Sequence, residues 1–227
     1  YQYFETYLTM SCILFTMKQK YIFFCVLFVM LVPPAAKGGN VVWHEGGAVT
    51  YTMQSKVSTV VTKAASLFED DMKALTGNEC YESNQGEVAV YQLDMASNKE
   101  LKALEMQQVP LLKFIARKDA FWIGKRGNQV VIVGSNGRGA AYGLLELSRM
   151  SGVSVWKWWG DIVPERRQHL EIDENLDKIE VPSVEYRGIN IDDTQWSSGP
   201  WARNYLKEQL SDGLLGPAYY HKLFELM

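Results

Sequence analysis

Asp192 and Asp193 are the adjacent carboxylates best suited by type to acid–base chemistry. They follow Val184–Ile191, which reads as a strand, and barrel enzymes hold their reacting groups at the C-terminal ends of strands. Successive strand side chains point to opposite faces, so at most one of the pair faces a shared mouth while the strand stays regular. The same pair also fits a solvated turn or a helix cap. A second cluster is Trp156, Trp158, Trp159, Trp196 and Trp201. An aromatic face can stack on the apolar C–H face of a sugar ring, but Trp is most often largely buried, and core is the favoured reading. A third feature is the run Gly134-Ser135-Asn136-Gly137-Arg138-Gly139 with Gly143, which follows Val130–Val133 and opens a helical pattern. Glycines there, with Asp161 downstream, fit a dinucleotide fingerprint. The turn is longer than that fingerprint, however, Arg138 sits inside it, and Trp156–Trp159 stands where an aliphatic strand should. Glycines that permit close helix–strand packing fit better. Arg138, Arg187 and Arg203 could each grip a carboxylate in bidentate fashion, and each also fits a structural ion pair.

Other chemistries find less support. His44, His169 and His221 have no metal-ligand spacing, and Cys80 is the lone cysteine beyond the N-terminal apolar run. Neither a metal nor a cofactor is expected, and Cys80 reads as a small buried hydrophobe. The net charge of -3 and the absence of a Lys/Arg block argue against a nucleic-acid partner. Nothing in the sequence sets the oligomeric state.

The elements that must position these residues follow from periodicity. Ala48–Met53 reads as a strand. Val57–Leu75 reads as a helix, with apolar residues at three- and four-residue steps, Ser55 as its N-cap and Gly77 as its stop. Glu87–Leu93 alternates as a strand, and Ser97–Met106 reads as a shorter helix. Phe121–Ile123 and Val130–Val133 flank Lys125-Arg126-Gly127-Asn128 as a hairpin. Arg138–Met150 is a third helix. A small α/β sandwich over 40–180 is therefore expected, with helices against one sheet. A second region, 182–227, offers the strand Val184–Ile191, a loop, and a helix opening at Pro217 whose apolar stripe has no evident partner. That order resembles the first, truncated βα unit of a TIM barrel.

The N-terminus reads as a targeting segment. Met17, Lys18 and Lys20 precede the apolar run Tyr21–Val32 and then Pro33-Pro34-Ala35-Ala36, in signal-peptide order. The apolar run is shorter than the ~20 residues a membrane span needs. Residues 17–36 are expected to be a signal peptide and 1–16 an upstream artefact. The mature protein would be secreted or periplasmic, with no membrane span after cleavage.

Gly134–Gly139, Tyr142-Gly143, Glu146–Ser148, Gly152–Ser154, Trp156, Trp158-Trp159 and Asp161 together resemble a signature of glycoside hydrolase family 115. Ser183–Ile189 running to Trp196, Pro200-Trp201, and Leu215–Pro217 through Phe224–Leu226 are similar to it as well. The resemblance implies an N-terminal α/β domain followed by a (β/α)8 barrel. It implies an inverting α-1,2-glucuronidase acting on xylan side chains, with plant cell-wall polysaccharide or oligosaccharide as partner. Asp193 would then be the catalytic aspartate, and Asp192, Arg187, Arg138, Trp159 and Trp196 would bind substrate. Thr194 stands where family members carry glutamate. Two other functions stay open: a non-catalytic carbohydrate-binding module using the Trp cluster, and a dinucleotide-binding domain. The chain by itself is expected to be inactive, because the later barrel strands would supply the second carboxylate.

Expression with its native leader should export the protein, and Edman sequencing should find a mature start near Lys37. An intact N-terminus recovered from the cytoplasm would refute the targeting reading.

Overall fold

The computed structural model describes residues 39–157, 160, 162–188 and 217–226. The expected leader lies outside these residues. The described elements are strands β1 (Asn40–His44) and β2 (Val49–Met53), helix α1 (Thr59–Thr76), strands β3 (Cys80–Glu82) and β4 (Val88–Gln92), and helix α2 (Asn98–Met106). They continue with β5 (Phe121–Arg126), β6 (Gln129–Gly134), helix α3 (Gly137–Ser151), β7 (Leu170–Asp173), β8 (Asp177–Glu180) and helix α4 (Pro217–Leu226). All belong to the unit Asn40–Met227.

Six strands form one mixed sheet in the order β3-β2-β4-β6-β5-β8. β2 runs parallel to β3 and β4, and β4 parallel to β6. β5 is antiparallel to both β6 and β8, so the expected hairpin forms. The fold is α/β as expected, and the sheet is covered on both faces. Val130 and Ile132 pack with Phe68, Leu144 and Leu147 beneath α1 and α3. Val131 and Val133 pack with Leu104, Phe114 and Trp122 on the α2 side. An unbroken apolar run such as Val130–Val133 belongs to a strand buried on both sides.

A two-stranded ribbon, β1 with β7, flanks the main sheet. Buried His44 ties the ribbon to that sheet, its Nδ1 lying 2.9 Å from Glu87 Oε1. Glu87 Oε2 also accepts the Thr50 N–H at 3.1 Å.

Local chemistry accounts for the helix ends. α1 starts at Ser58 rather than at the expected Ser55. Gln92 Oε1 accepts the Ser58 N–H at 2.9 Å, while the Ser55 N–H and hydroxyl both go to Glu100. α2 opens with a reciprocal capping box between Ser97 and Glu100. α1 stops at Gly77 and α3 at Gly152, both left-handed.

Two expectations for the 182–227 region change. Val184–Gly188 is not a strand. Arg187 Nη1 donates back to the Val184 carbonyl at 3.0 Å, a local closure that an extended strand cannot make. The rest of that expected strand lies outside the described residues. α4 does form, and part of its apolar stripe is covered: Leu223 is 2% exposed while Phe224 is 67% exposed, and Glu225 pairs with Lys63 of α1 at 2.7 Å.

The chain steps across β2 at one point. Glu82 and Val88 are both in register with Tyr51, on opposite sides of it, so residues 83–87 must pass over the β2 backbone. Gly86 makes that crossing, and a Cβ there would lie 2.3 Å from the Tyr51 carbonyl carbon. The obstacle is backbone, which no rotamer change can move aside. Gly86→Ala should cost about 3 kcal/mol, the upper end for overpacking. Gly39→Ala, with nothing within 4 Å of its Cβ position, should be near neutral. Urea melts of the two variants check this, and equal midpoints would refute the crossing constraint.

Candidate functional site

The sequence-derived site residues divide sharply. Asp192, Asp193, Trp159 and Trp196 lie outside the described residues, as do Trp158, Trp201 and Asp161. Arg138 and Arg187 are described, and both converge on a residue the sequence did not single out, Asp119.

Asp119 ends the loop before β5 in the left-handed region, φ 57°, a conformation that is uncommon away from glycine. Its side chain is 3% exposed. Asn136 Nδ2 donates to Asp119 Oδ1 at 2.9 Å, and Arg187 Nη2 donates to Oδ2 at 2.9 Å. Arg138 Nη1 stands 3.7 Å from Oδ2. Burial works to raise the Asp119 pKa, but the hydrogen bonds from Asn136 and Arg187 and the charges of both arginines outweigh it. The carboxyl is held below its usual range.

The glycine-rich run builds the platform for this residue. Asn136 caps α3, its side chain accepting the Gly139 N–H at 2.9 Å. Ser135 N donates to the Ala120 carbonyl at 2.8 Å, and Ala120 N donates to Ser135 Oγ at 3.1 Å. A Cβ on Gly139 would lie 2.1 Å from the Ala120 oxygen. The Asp119–Ala120 peptide therefore rests on the first turn of α3, where a dinucleotide fold would hold pyrophosphate. Packing is what these glycines serve.

Residues 184–187 strap over this platform. Lys118 Nζ meets Glu185 at 2.6 Å, and Arg187 Nη2 also donates to the Tyr142 hydroxyl at 3.2 Å, with its guanidinium 5.4 Å from the Tyr142 ring centre. Beside the strap runs an open groove of about 370 Å³, with Phe121, Tyr142, Leu145, Val155 and Pro182 as its apolar lining. Asp119, Glu146, Arg149, Glu180 and Arg187 supply its charged lining. Glu146 accepts two hydrogen bonds from Arg149 at 2.7 Å each and one from Lys178 at 2.9 Å. Those bonds, Arg149 foremost, hold its carboxyl below the usual range. Asp119 and Glu146 are thus committed anions, and neither is free to act as a general acid.

Trp156 is 60% exposed, against the core reading of its cluster. Cys80 is buried as expected, and burial pushes its thiol up to about 12. Among the described residues no three His, Cys, Asp or Glu side chains gather as a metal would require, and no helix is long and apolar enough to cross a membrane. Asp119 carries no local sign of its role, because its partners Asn136 and Arg187 lie 17 and 68 residues away along the chain.

Comparison with known proteins gives the class. No protein-family model matches the chain, and no curated protein matches it. Among solved structures it is similar to a family GH115 4-O-methyl-α-glucuronidase, BtGH115A, which has specificity for decorated arabinogalactans. The identity is 29% and the TM-score 0.69, over 82% of this chain and 24% of that enzyme. CpGH84D follows at 14% identity and TM-score 0.41, over 63% of this chain and 23% of that one. The Streptomyces plicatus N-acetyl-β-hexosaminidase follows at 10% and 0.34, over 60% and 24%. Only the first of these is near enough to carry an argument. The α/β domain is therefore related to glycoside hydrolases, and the chain spans about a quarter of BtGH115A's length.

The Asp119 assembly has a pH signature. A carboxyl depressed on folding adds stability above its unfolded pKa of about 3.9, and that stability is lost as pH falls through the lower folded value. Asp119→Asn should be about 2–3 kcal/mol less stable near neutral pH, below the full cost of breaking a buried pair because Arg187 is 33% exposed. The gap should narrow below about pH 4. Urea melts across that range check it, and a gap independent of pH would show that the charge of Asp119 is immaterial.

Proposed function

We propose that this chain belongs to a secreted inverting α-glucuronidase that removes glucuronic acid, or its 4-O-methyl ether, from side chains of plant polysaccharide. The similarity to a GH115 glucuronidase over 82% of the chain carries the reading. Xylan is the backbone that the sequence resemblance implies, and arabinogalactan is the backbone acted on by BtGH115A. In this proposal 40–180 is the N-terminal α/β domain and 182–227 opens the catalytic barrel.

Inversion needs one carboxylic acid at the leaving oxygen and one carboxylate activating water, typically about 6.5–9.5 Å apart. Asp193 is the proposed member of that pair in this chain. Thr194 cannot serve as its neighbour, since a hydroxyl neither stays ionised nor releases a proton near neutral pH. Asp192 is proposed to contact substrate with Trp159 and Trp196. Arg138, 59% exposed and only loosely tied to Asp119, is the described arginine better able to meet a uronate carboxylate. Arg187 is held on its own protein partners. Exposed Trp156 favours a second reading, a sugar-binding surface without catalysis.

Release of glucuronic acid from decorated xylo-oligosaccharides and arabinogalactan fragments tests the proposal. The 227-residue chain alone should release none. Where the gene continues, the longer product should be active, and Asp193→Ala in it should lower kcat about 10²–10⁴-fold. Binding without turnover in the longer product, abolished by Trp156→Ala, would favour the second reading. An unchanged rate in Asp193→Ala would leave Asp193 a turn residue.

A further inference from the structure

We propose that Asp119 is a positioning residue. Through Arg187 it locks the 184–187 strap onto the α/β domain and so sets where the chain enters the stretch that carries Asp192 and Asp193. The catalytic part of this inference rests on the α-glucuronidase reading, and the anchoring part does not.

Several observations converge on Asp119. It is a non-glycine residue held at φ 57°, and backbone strain at a buried position persists only where the surroundings over-determine it. Its carboxylate is almost fully buried yet faces two arginines, each from a different part of the chain. A lone buried carboxylate would be very costly, so these partners are a requirement of the site rather than a decoration. The surrounding bonds also fix every piece of the joint. Ser135 and Gly139 seat the adjoining peptide, Asn136 fixes Oδ1, and Arg187 takes Oδ2. Arg187 in turn is held by Tyr142 and by the Val184 carbonyl. A guanidinium with all these contacts has one available pose, so the backbone at Arg187 is tied to the first turn of α3. Asp193 lies only six residues beyond Arg187 in sequence. An error of about 1 Å in placing a reacting group can cost on the order of 100-fold in rate.

Hydrogen exchange and kinetics test the two parts separately. Asp119→Asn keeps the shape and removes the charge, and Arg187→Gln cuts the same link from the exposed side. In the 227-residue chain, either variant should speed exchange at residues 184–188 at least tenfold more than it speeds the amides of β4 and β6, which report the loss of global stability. The double variant should add nothing further. In the active form of the protein, each should lower kcat about tenfold or more with KM within twofold, as expected for lost positioning rather than lost affinity. If Asp119→Asn speeds residues 184–188 and the β4 and β6 amides equally, it is only structural at that site, and Arg187→Gln alone decides the anchoring. Unchanged exchange at 184–188 in Arg187→Gln overturns the anchoring. Faster exchange with kcat unchanged overturns the positioning role. A wild-type protein that releases no glucuronic acid in any form overturns the catalytic part, and the exchange result then stands or falls by itself.

Discussion

A carboxylate withdrawn from water must find its compensation inside the protein, and around Asp119 that need organises the surface of the domain. Two guanidinium groups and an amide supply it, drawn from α3, the residue capping α3, and the strap. Asn136 and Arg187 have other bonds of their own, but the anion would not stay ionised without its partners. The left-handed backbone of Asp119 is a cost accepted within the same arrangement.

The sheet makes the arrangement possible. β6 is buried on both faces and runs directly into α3, so the turn between them has little freedom. Small residues at that turn let a neighbouring peptide lie against the helix start, at a distance a side chain would forbid. In nucleotide-binding folds the same kind of turn receives phosphate. Here it receives the protein's own Asp119–Ala120 peptide, and the helix N-terminus acts as part of the scaffold. The short crossing over β2 obeys the same steric logic at the other side of the sheet.

The electrostatics separate scaffold from chemistry. Asp119 and Glu146 are depressed carboxyls saturated by cations, which suits joints that must not titrate near neutral pH. A general acid needs the opposite environment, with burial and few compensating charges. In the proposed enzyme the domain would therefore place catalytic groups carried elsewhere rather than supply them.

Much of this was legible in the sequence. The strands at 49–53, 88–92, 121–126 and 129–134 and the four described helices follow from apolar periodicity, since burial of one face leaves a repeat of two or of 3.6 residues. The glycine run was readable as a packing turn because glycine's missing Cβ is a local property. Coverage of both sheet faces was present in the unbroken Val130–Val133 run but was not drawn from it. Other features left no local trace. The β1–β7 ribbon pairs residues about 130 apart, and three-residue β3 is too short to show a period. Val184–Gly188 has the composition of a strand, yet among the described residues no ladder partner stands beside it, and a strand requires that partner. Asp119 looked like an ordinary loop aspartate. Only the tertiary structure, by closing 17- and 68-residue separations to hydrogen-bond distance, turned it into the buried charge on which its neighbours depend.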